Sequence, residues 1–445
     1  MRQTLLRGSA LLLGGILLGM LLLMAAYALP TEPIRKHLGE SLLCFDGSDG
    51  MPETDDETLV KTYSSTWLDI RTDLVMMLIA AYDSENSPWE QALENRMYND
   101  TERYYRLSER LAAVAHGVGK DAEPAYSYGR YWHGYLVLLK PLLLFCSYMD
   151  IRMLNVLAQG TLLLYLLLQL KKSGARCIPA LGAALAVLQA WLLPLCLQYS
   201  TAWLTALAAM CLLVRFQSRF EKDGVVLFFL GTGMVTSYVD FLTYPLITFG
   251  LPCVLWLMLE KDRQKNALLL LVQLALAWGI GYAGMWAGKW LLVLLFGRAG
   301  EGSMILAAME ERGLSAAVSP WSAILRNGSV LWRKPYKLAL LCVTIWMIVR
   351  LIRLGKNRRK VSWNLAMALL ITAAMPLAWY AVMNNHSHVH YFFTYRNLAI
   401  SVFALGCLAS LLLEDKRKAN EKGLPVQQAF SLAIAFLPKT RYDIR

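Results

Sequence analysis

About ten long, mostly apolar stretches run through this chain, and basic or mixed-basic connections separate many of them. A helix needs about 20 mostly apolar residues to cross the hydrocarbon core of a membrane. Hydrophobic residues make up 57% of the chain and charged residues 17%, against about 45–50% and 25% in soluble globular proteins. The pattern excludes a disordered chain, a nucleic-acid-binding repeat and a small disulfide-rich protein. It predicts an all-α polytopic membrane protein with about ten transmembrane helices.

The first apolar run has Arg2 before it and Arg7 near its start, and it resembles a signal peptide. It is longer than an ordinary signal core, and Tyr27–Pro30 is a poor cleavage site, so we interpret it as an uncleaved span. The stretch Tyr135–Tyr148 is short and contains Lys140-Pro141, which favours a re-entrant or interfacial helix. We place the spans at Leu5–Leu29, Ile151–Leu170, Ile178–Leu197, Thr201–Phe216, Val225–Leu242, Leu246–Leu259, Asn266–Ala287, Tyr336–Leu354, Trp363–Met383 and Leu398–Leu413.

The distribution of charge orients these spans. Residues 30–132 contain 19 acidic and 10 basic residues, a net charge of −9, whereas the rest of the chain contains 13 acidic and 34 basic residues, a net charge of +21. Basic residues are retained on the cytoplasmic side of a membrane. We therefore predict a plasma-membrane protein with both termini cytoplasmic and the acidic segment outside, and we do not interpret the basic loops as a nucleic-acid-binding surface.

This topology divides the chain into six parts. They are the first transmembrane helix (1–29), an outer loop domain with short helices (30–133), a bundle of the interfacial helix and spans two to seven (134–287), a second outer segment (288–335), the last three spans (336–413) and a cytoplasmic tail (414–445). The eight cysteines include no Cys-x-x-Cys pair, so neither a zinc site nor a disulfide framework is indicated.

The first group of candidate site residues is acidic and lies in the outer loop. Asp46 and Asp49 belong to a loop rich in glycine and aspartate, which ordinary solvation also explains. Asp69 and Asp73 are four residues apart, so on a helix both carboxylates share one face and could jointly hold a cation or a proton. We predict a catalytic base among these residues, with Asp69 or Asp73 preferred to Asp46 or Asp49.

Two further groups combine aromatic rings with ionisable side chains at the outer ends of spans. Arg130, Trp132 and His133 lie in a tyrosine-rich stretch, for which an aromatic belt at the headgroup level is the alternative interpretation. Asp240 and Tyr244 lie near the outer end of another span, where an ionisable residue indicates a functional site by default. A structural ion pair with an arginine is the other interpretation of Asp240.

The fourth group contains three of the six histidines and an arginine that opens the last span. His386 and His390 have the spacing of a helical zinc pair, but no glutamate lies between them. With Tyr395 and Arg396 they suit a phosphate equally well, because all of these side chains donate to an oxyanion. Topology anchors favour the inside, so an arginine on the outer side indicates an anionic partner.

The arrangement resembles the GT-C superfamily of glycosyltransferases that use lipid-linked sugars. An inside N terminus, one span, a long acidic outer loop, an interfacial helix and about nine further spans carry the resemblance. Locally it rests on Trp132–Leu136, on Ser147–Arg152 and on a span that ends in two lysines. Asp240–Trp256 is similar to the Thr-Lys-Gly-Pro stretch of members with the mannosyltransferase or aminoarabinose-transferase pattern. The chain lacks their Pro-Pro pair and has Tyr244 where they have a lysine.

The resemblance implies an enzyme that takes a sugar from a polyprenyl-phosphate donor and transfers it to an envelope or extracellular acceptor, with an outer-loop aspartate as base. The donor phosphate would contact Arg396, His390 and His386 together with Arg130, and Tyr128–Trp132 would stack on the sugar. Membrane lipids and this donor are the expected partners. Some members of the superfamily use a divalent metal, and the sequence leaves metal use and oligomeric state open.

A transporter or flippase for a polyprenyl-linked or other anionic substrate is the second function class. Transporters usually place ionisable groups near the bilayer midplane and often carry inverted repeats. The middle of these spans is almost wholly apolar and no repeat is visible, which favours chemistry at the membrane surface. A scaffold for other envelope proteins, built on the outer loop, is the third class.

Overall fold

The computed structural model describes residues 2–45, 63–118, 122–173, 177–220, 222–262, 266–298, 317–355 and 360–414, which are almost entirely helical. The first half contains α1 Arg2–Tyr27, α2 Thr31–Ser41, α3 Ile70–Ala81, α4 Pro88–Glu94, β1 Met97–Tyr98, α5 Leu107–Ala115, β2 Ala125–Tyr126, α6 Leu136–Leu143, α7 Tyr148–Lys172, α8 Ile178–Leu188 and α9 Leu197–Arg215. The second half contains α10 Lys222–Val239, α11 Ile247–Leu259, α12 Ala267–Phe296, α13 Pro320–Leu331, α14 Lys334–Leu354, α15 Trp363–Val382, α16 Asn384–Val389, α17 Tyr391–Thr394 and α18 Leu398–Leu412.

Seven helical segments of the described chain are long and apolar enough to cross a membrane, which confirms an all-α, multi-pass membrane protein. The predicted number of ten spans is not confirmed. Two predicted spans correspond to shorter apolar helices, Asp223–Val239 and Ile247–Leu259, and α14 is not among the seven. The seven are Gln3–Tyr27, Tyr148–Lys172, Ile178–Leu195, Leu197–Arg215, Ala267–Phe296, Trp363–Val382 and Tyr391–Leu412.

One predicted span is broken and another is longer than predicted. The span predicted at Ile178–Leu197 corresponds to the segment Ile178–Leu195, in which α8 ends at Leu188, Gln189 adopts a left-handed conformation (φ +53°) and Pro194 lies in the following helical turn. Conversely, α12 continues past the predicted boundary at Ala287 to Phe296, since its last turns contain no proline and remain strongly apolar. About 45 Å of helix results. Helix α12 therefore reaches from the bundle to the described part of residues 30–133, which we call the outer segment.

Helices α10 and α12 pack most closely, with α1 beside them. A Cβ atom on Gly233 would overlap the backbone carbonyl of Trp278, and one on Gly281 would overlap that of Leu230. Two turns further along α12, Gly288 accommodates Ile16 of α1. Small residues allow this close approach of helices inside a membrane, where burial of apolar surface alone does not drive association.

The outer segment consists of α2 to α5 and one small antiparallel ladder, in which Met97 pairs with Tyr126. Its own apolar core, which includes Leu38, Leu74 and Leu111, is fully buried. Helix α2 packs on α3, α5 and α6, while α4 packs on α1 and α12. The segment is therefore a folded layer that rests on the ends of the membrane helices, and its contacts with them position the candidate residues.

Candidate functional site

Asp73 joins the outer segment to the start of α9. Its buried oxygens accept hydrogen bonds from Tyr148 Oη (2.6 Å), Leu197 N (2.9 Å) and Gln198 N (3.0 Å). The two amides belong to the first turn of α9, whose N-cap residue Cys196 makes no side-chain cap. A carboxylate there satisfies backbone donors that the helix leaves open and complements its dipole. Asp73 thus caps α9 from a distant part of the chain.

Asp69 caps α3, the helix that contains Asp73. Its Oδ1 accepts from Thr72 N (3.1 Å) and its Oδ2 from Thr72 Oγ1 (2.9 Å). Burial, opposed in part by these hydrogen bonds, raises the pKa of the Asp69 carboxyl to about 6. A carboxylate with this pKa is ionised at neutral pH and is a stronger base than an ordinary aspartate. Asp46 and Asp49, the other two predicted bases, lie outside the described residues.

Arg396 is fully buried in a cage of carbonyl oxygens and aromatic rings. Its guanidinium group donates to the carbonyl oxygens of Leu188 (3.2 Å), Phe392 (3.0 Å) and Ser65 (3.4 Å). It also lies 4.2 Å from the ring centre of Tyr199. Leu188 ends α8, so the cation lies at the negative end of that helix dipole. No carboxylate in the described parts of the chain forms an ion pair with it.

Tyrosines complete the cage and bind the backbone that precedes α3. Tyr395 donates through Oη to the carbonyl of Ser65 (3.2 Å), and Tyr199 donates to that of Trp67 (3.0 Å). Tyr244 in turn donates to the carbonyl of Tyr199. The predicted binding residues Tyr244, Tyr395 and Arg396 thus lie together, but all three are fully buried and bind backbone oxygens.

We expect Arg396→Lys to destabilise the protein nearly as much as Arg396→Gln, by about 3 kcal/mol, because one ammonium group cannot make three directed hydrogen bonds and stack on a ring. Thermal unfolding of the purified protein measures this. Arg326→Lys is the matched control, since Arg326 also stacks on a tyrosine, Tyr391 (4.4 Å), but is exposed. A wild-type unfolding temperature for Arg396→Lys, with lipid-phosphate binding lost, would instead identify Arg396 as a ligand-binding residue.

Trp132 and His133 are also buried, and their polar atoms are occupied. Trp132 donates through Nε1 to the carbonyl of Met285 (2.7 Å). His133 Nε2 donates to the carbonyl of Tyr128 (2.9 Å), and Nδ1 lies 3.3 Å from Tyr135 Oη. Burial and nearby cations lower the pKa of His133 to about 3, so the ring is neutral at physiological pH. Its geometry is that of a neutral packing residue.

Arg130 differs from these neighbours because it is only half-buried. Its guanidinium lies 4.5 Å from the ring centre of Tyr128 and 5.7 Å from that of Tyr131. Its Nη1 atom contacts Tyr126 Oη at 3.4 Å, and its buried Nε has no partner among the described residues. Tyr126 and Tyr128 are half-buried as well, so this arginine and these two rings present a partly open surface.

Asp240 and His386 meet at a turn between α10 and α11. Asp240 Oδ2 accepts from Thr243 N (3.0 Å), and Oδ1 accepts from Thr201 Oγ1 (3.4 Å). His386 Nε2 donates to the carbonyl of Leu242 (2.8 Å). Leu242 has φ +69°, a left-handed conformation that bulky residues rarely adopt. Such strain persists only where the surroundings hold it, and it is frequent at functional sites.

His390 is half-buried and links this turn to the outer segment. Its ring stacks on Phe393 (5.1 Å) and lies 4.8 Å from that of His386. The adjacent Phe392 stacks on Trp67 at 4.5 Å, two residues before Asp69. We call the region around Asp69, Asp240, His386 and His390 the junction.

Residues beside the four predicted groups connect these groups to one another. Phe241, next to Asp240, packs against the ring of His133 (5.1 Å), which connects the second group to the third. His386 connects the third to the fourth through Leu242. Tyr395 connects the fourth to the first through Ser65. Of the predicted site residues that the structure describes, Arg130 and His390 are half-buried, whereas Asp69 is buried like the others.

Two buried lysines hold the outer segment against the membrane helices, and neither is among the predicted site residues. Lys289 of α12 donates to the carbonyls of Ala92 (2.6 Å) and Leu93 (3.0 Å), at the end of α4. Lys140 of α6 donates to the carbonyl of Ala80 (2.9 Å), at the end of α3. Cations at helix C termini complement the dipole. The available signal was a lysine within each apolar stretch on the predicted outer side.

The described residues contain no group of three or more histidine, cysteine, aspartate or glutamate side chains placed to hold a metal ion. His386 and His390 lie close together, but no third side chain of these types completes a set with them there.

No family model matches this chain, and no curated protein or solved structure matches it.

Proposed function

We propose that this protein is a glycosyltransferase of the plasma membrane, with cytoplasmic termini, that transfers a sugar from a polyprenyl-phosphate donor to an envelope or extracellular acceptor at the outer face. The observation that carries the proposal is the buried carboxylate of Asp69, with a pKa raised to about 6, where the folded outer segment meets the membrane helices. A base with a pKa near the working pH is what deprotonation of an acceptor hydroxyl requires.

The proposed reaction is a substitution at the anomeric carbon of the sugar. The acceptor hydroxyl oxygen forms a bond to this carbon while its proton passes to the Asp69 carboxylate. The bond between the anomeric carbon and the phosphate oxygen breaks, and its electron pair leaves with polyprenyl phosphate. Negative charge therefore grows on the phosphate, and a nearby cation would stabilise it in the transition state.

Asp69 is a better candidate for the base than Asp73. The oxygens of Asp73 accept four hydrogen bonds, from Tyr148, from the Cys196 thiol and from two backbone amides of α9. Those of Asp69 accept only from Thr72 within the described residues. Protonation of Asp73 would also remove an acceptor from the start of a helix. A base must accept a proton without unfolding its surroundings, which favours Asp69.

The partly open surface around Arg130 suits the sugar. Tyr126 and Tyr128 offer half-buried rings, and sugars bind to aromatic faces through their C–H groups, while Arg130 can donate to hydroxyl or acidic substituents. Phe241 and His133 connect this surface to the junction. The donor sugar would then lie between Arg130 and Asp69.

Transport is less well supported. The break between α8 and α9 resembles the discontinuous helices of transporters, whose free ends bind substrate or ions. Here the start of α9 is capped by Asp73 and the end of α8 by Arg396. Because side chains of the protein already occupy both ends, the break offers no free helix end to a cargo.

The test uses purified protein in sealed proteoliposomes with polyprenyl-phosphate sugars that are radiolabelled in the sugar, together with an envelope extract as acceptor. Transfer predicts that label leaves the lipid fraction, enters the acceptor fraction and leaves polyprenyl phosphate behind. Protein-free liposomes are the control. Movement of intact lipid-linked sugar across the membrane, without cleavage, would establish the transporter instead.

A further inference from the structure

Arg152 lies in the first turns of α7, and its guanidinium group makes almost no contacts with polar groups of the described residues. The guanidinium lies 5.4 Å from the ring centre of Tyr148, and this is the only interaction that the described residues make with it. Its Nε atom is buried without a hydrogen-bond partner, while the side chain as a whole is half-buried. Arginines in apolar surroundings normally pair with a carboxylate or with carbonyl oxygens, as Arg396 does here.

The helix around Arg152 faces outward from the bundle. Met149, Met153 and Leu157 are 47%, 57% and 64% exposed, which identifies a surface that lipid would cover. α7 begins at its predicted outer end and finishes at Lys171 and Lys172 on the predicted inner side. Arg152 therefore lies on the side of the membrane where basic anchors are disfavoured. Besides the carboxylate of Asp150 in the first turn of α7, the anions expected at this end of the helix are phosphates of membrane lipids.

Polar residues on the same face of α7 direct this cation toward the protein rather than away from it. Asn155 donates to the carbonyl of Pro194 (3.0 Å) and to Ser200 Oγ (2.6 Å), and Gln159 donates to Ser200 Oγ (3.0 Å). These amides hold α7 against the break between α8 and α9. Arg152, one turn above Asn155, therefore lies at the edge where lipid meets this break.

A short chain of contacts connects Arg152 to the proposed base. Tyr148, whose ring lies beside the guanidinium, donates through Oη to Asp73 (2.6 Å). Asp73 follows Asp69 by about one turn of α3. A phosphate at Arg152 would thus have its lipid tail on the exposed face of α7 and its sugar directed toward the outer segment.

We propose that Arg152 binds the phosphate of the polyprenyl-phosphate donor at a lateral opening beside α7. This inference rests on the proposed function and adds the group that faces the phosphate. The planar guanidinium can bind two phosphate oxygens at once, and it remains charged as the phosphate becomes a leaving group. The phosphate of an ordinary phospholipid has the same chemistry, so the two sources must be separated by experiment.

The test measures binding of polyprenyl monophosphate and of phosphatidylglycerol to the purified full-length protein in nanodiscs of neutral lipid. We expect the wild type to bind polyprenyl monophosphate more tightly than phosphatidylglycerol. Arg152→Gln should weaken the former by about tenfold or more, as loss of charge-assisted hydrogen bonds implies, and Arg152→Lys should weaken it less. Lys171→Gln removes one charge at the other end of α7 and should change the affinity by less than about twofold.

Thermal unfolding of each variant accompanies the binding measurement. Arg152 makes no hydrogen bond to the described residues, so Arg152→Gln should unfold at the wild-type temperature. Unchanged affinity in this variant, in a protein that binds polyprenyl monophosphate, would overturn the assignment of Arg152 and leave the proposed function standing. Equal losses for both lipids would overturn the donor assignment. A wild type that does not prefer polyprenyl monophosphate would contradict the proposed function itself.

Discussion

Asp69→Asn is expected to lower the rate of sugar transfer by about 10²- to 10⁴-fold, the usual contribution of a general base. The substitution separates chemistry from folding because asparagine caps helices as well as aspartate does. Its amide oxygen can accept from Thr72 N, and its amide group can donate to Thr72 Oγ1, so both contacts of Asp69 are retained. Turnover of the lipid-linked donor by the purified variant measures the loss.

Asp83→Asn is the control for this substitution. Asp83 lies just beyond the other end of α3 and pairs with Arg35 at 3.7 Å in the outer segment, so the variant removes a carboxylate of the same layer at another place. It should keep most of the wild-type rate, and both variants should unfold like the wild type. A wild-type transfer rate in Asp69→Asn would remove Asp69 from the mechanism.

Asp73→Asn, in contrast to Asp69→Asn, is expected to impair folding. It should destabilise the protein by about 3 kcal/mol or more, nearly as much as Asp73→Ala. Both oxygens of Asp73 face donors, which are Tyr148 Oη and the amides of Leu197 and Gln198. An asparagine would direct its own N–H₂ group at one of these donors, and a buried donor left unpaired costs about 1–3 kcal/mol in addition to the lost bond.

Yield from the membrane and thermal unfolding measure the effect of Asp73→Asn, with Asp69→Asn as the matched variant one helical turn away. The account predicts a stable Asp69→Asn and an unstable Asp73→Asn. If Asp73→Asn were stable but inactive, and Asp69→Asn active, Asp73 would be the base and its position beside α9 would be part of the chemistry.

The sequence alone predicts most of the helices because their signal is local. Apolar runs of sufficient length indicate α1, α7, α9 and α12, and the excess of acidic residues in 30–132 indicates a separate layer. The end of α12 at Phe296 is harder to predict from the sequence, because the residues after Ala287 are compatible with an interfacial stretch as well as with more helix. The break after Leu188 depends on a left-handed Gln189, which no residue pattern identifies.

The roles of Asp73 and Arg396 could not be predicted, because most of their partners lie far away in the chain. The spacing of Asp69 and Asp73 places them on one helical face. It does not show that backbone amides of α9 donate hydrogen bonds to Asp73. For Arg396 the sequence indicates an anionic partner, because the cation lies at the predicted outer end of a span. The sequence suggests a phosphate, whereas its acceptors in the structure are carbonyl oxygens from three separate segments. Burial of the side chain decides whether its partner is a ligand or the protein backbone, and burial depends on the assembled fold.

The dependence of the transfer rate on pH, measured for the wild-type protein at subsaturating donor, shows whether Asp69 is the base. A base acts as the carboxylate, and the pKa of Asp69 is raised to about 6, so the active form is lost as the pH falls through that value. We expect a rate that increases about tenfold per pH unit below about pH 6 and is level above it. A rate that stays constant down to about pH 4, the ordinary range of an aspartate, would contradict a buried Asp69 base.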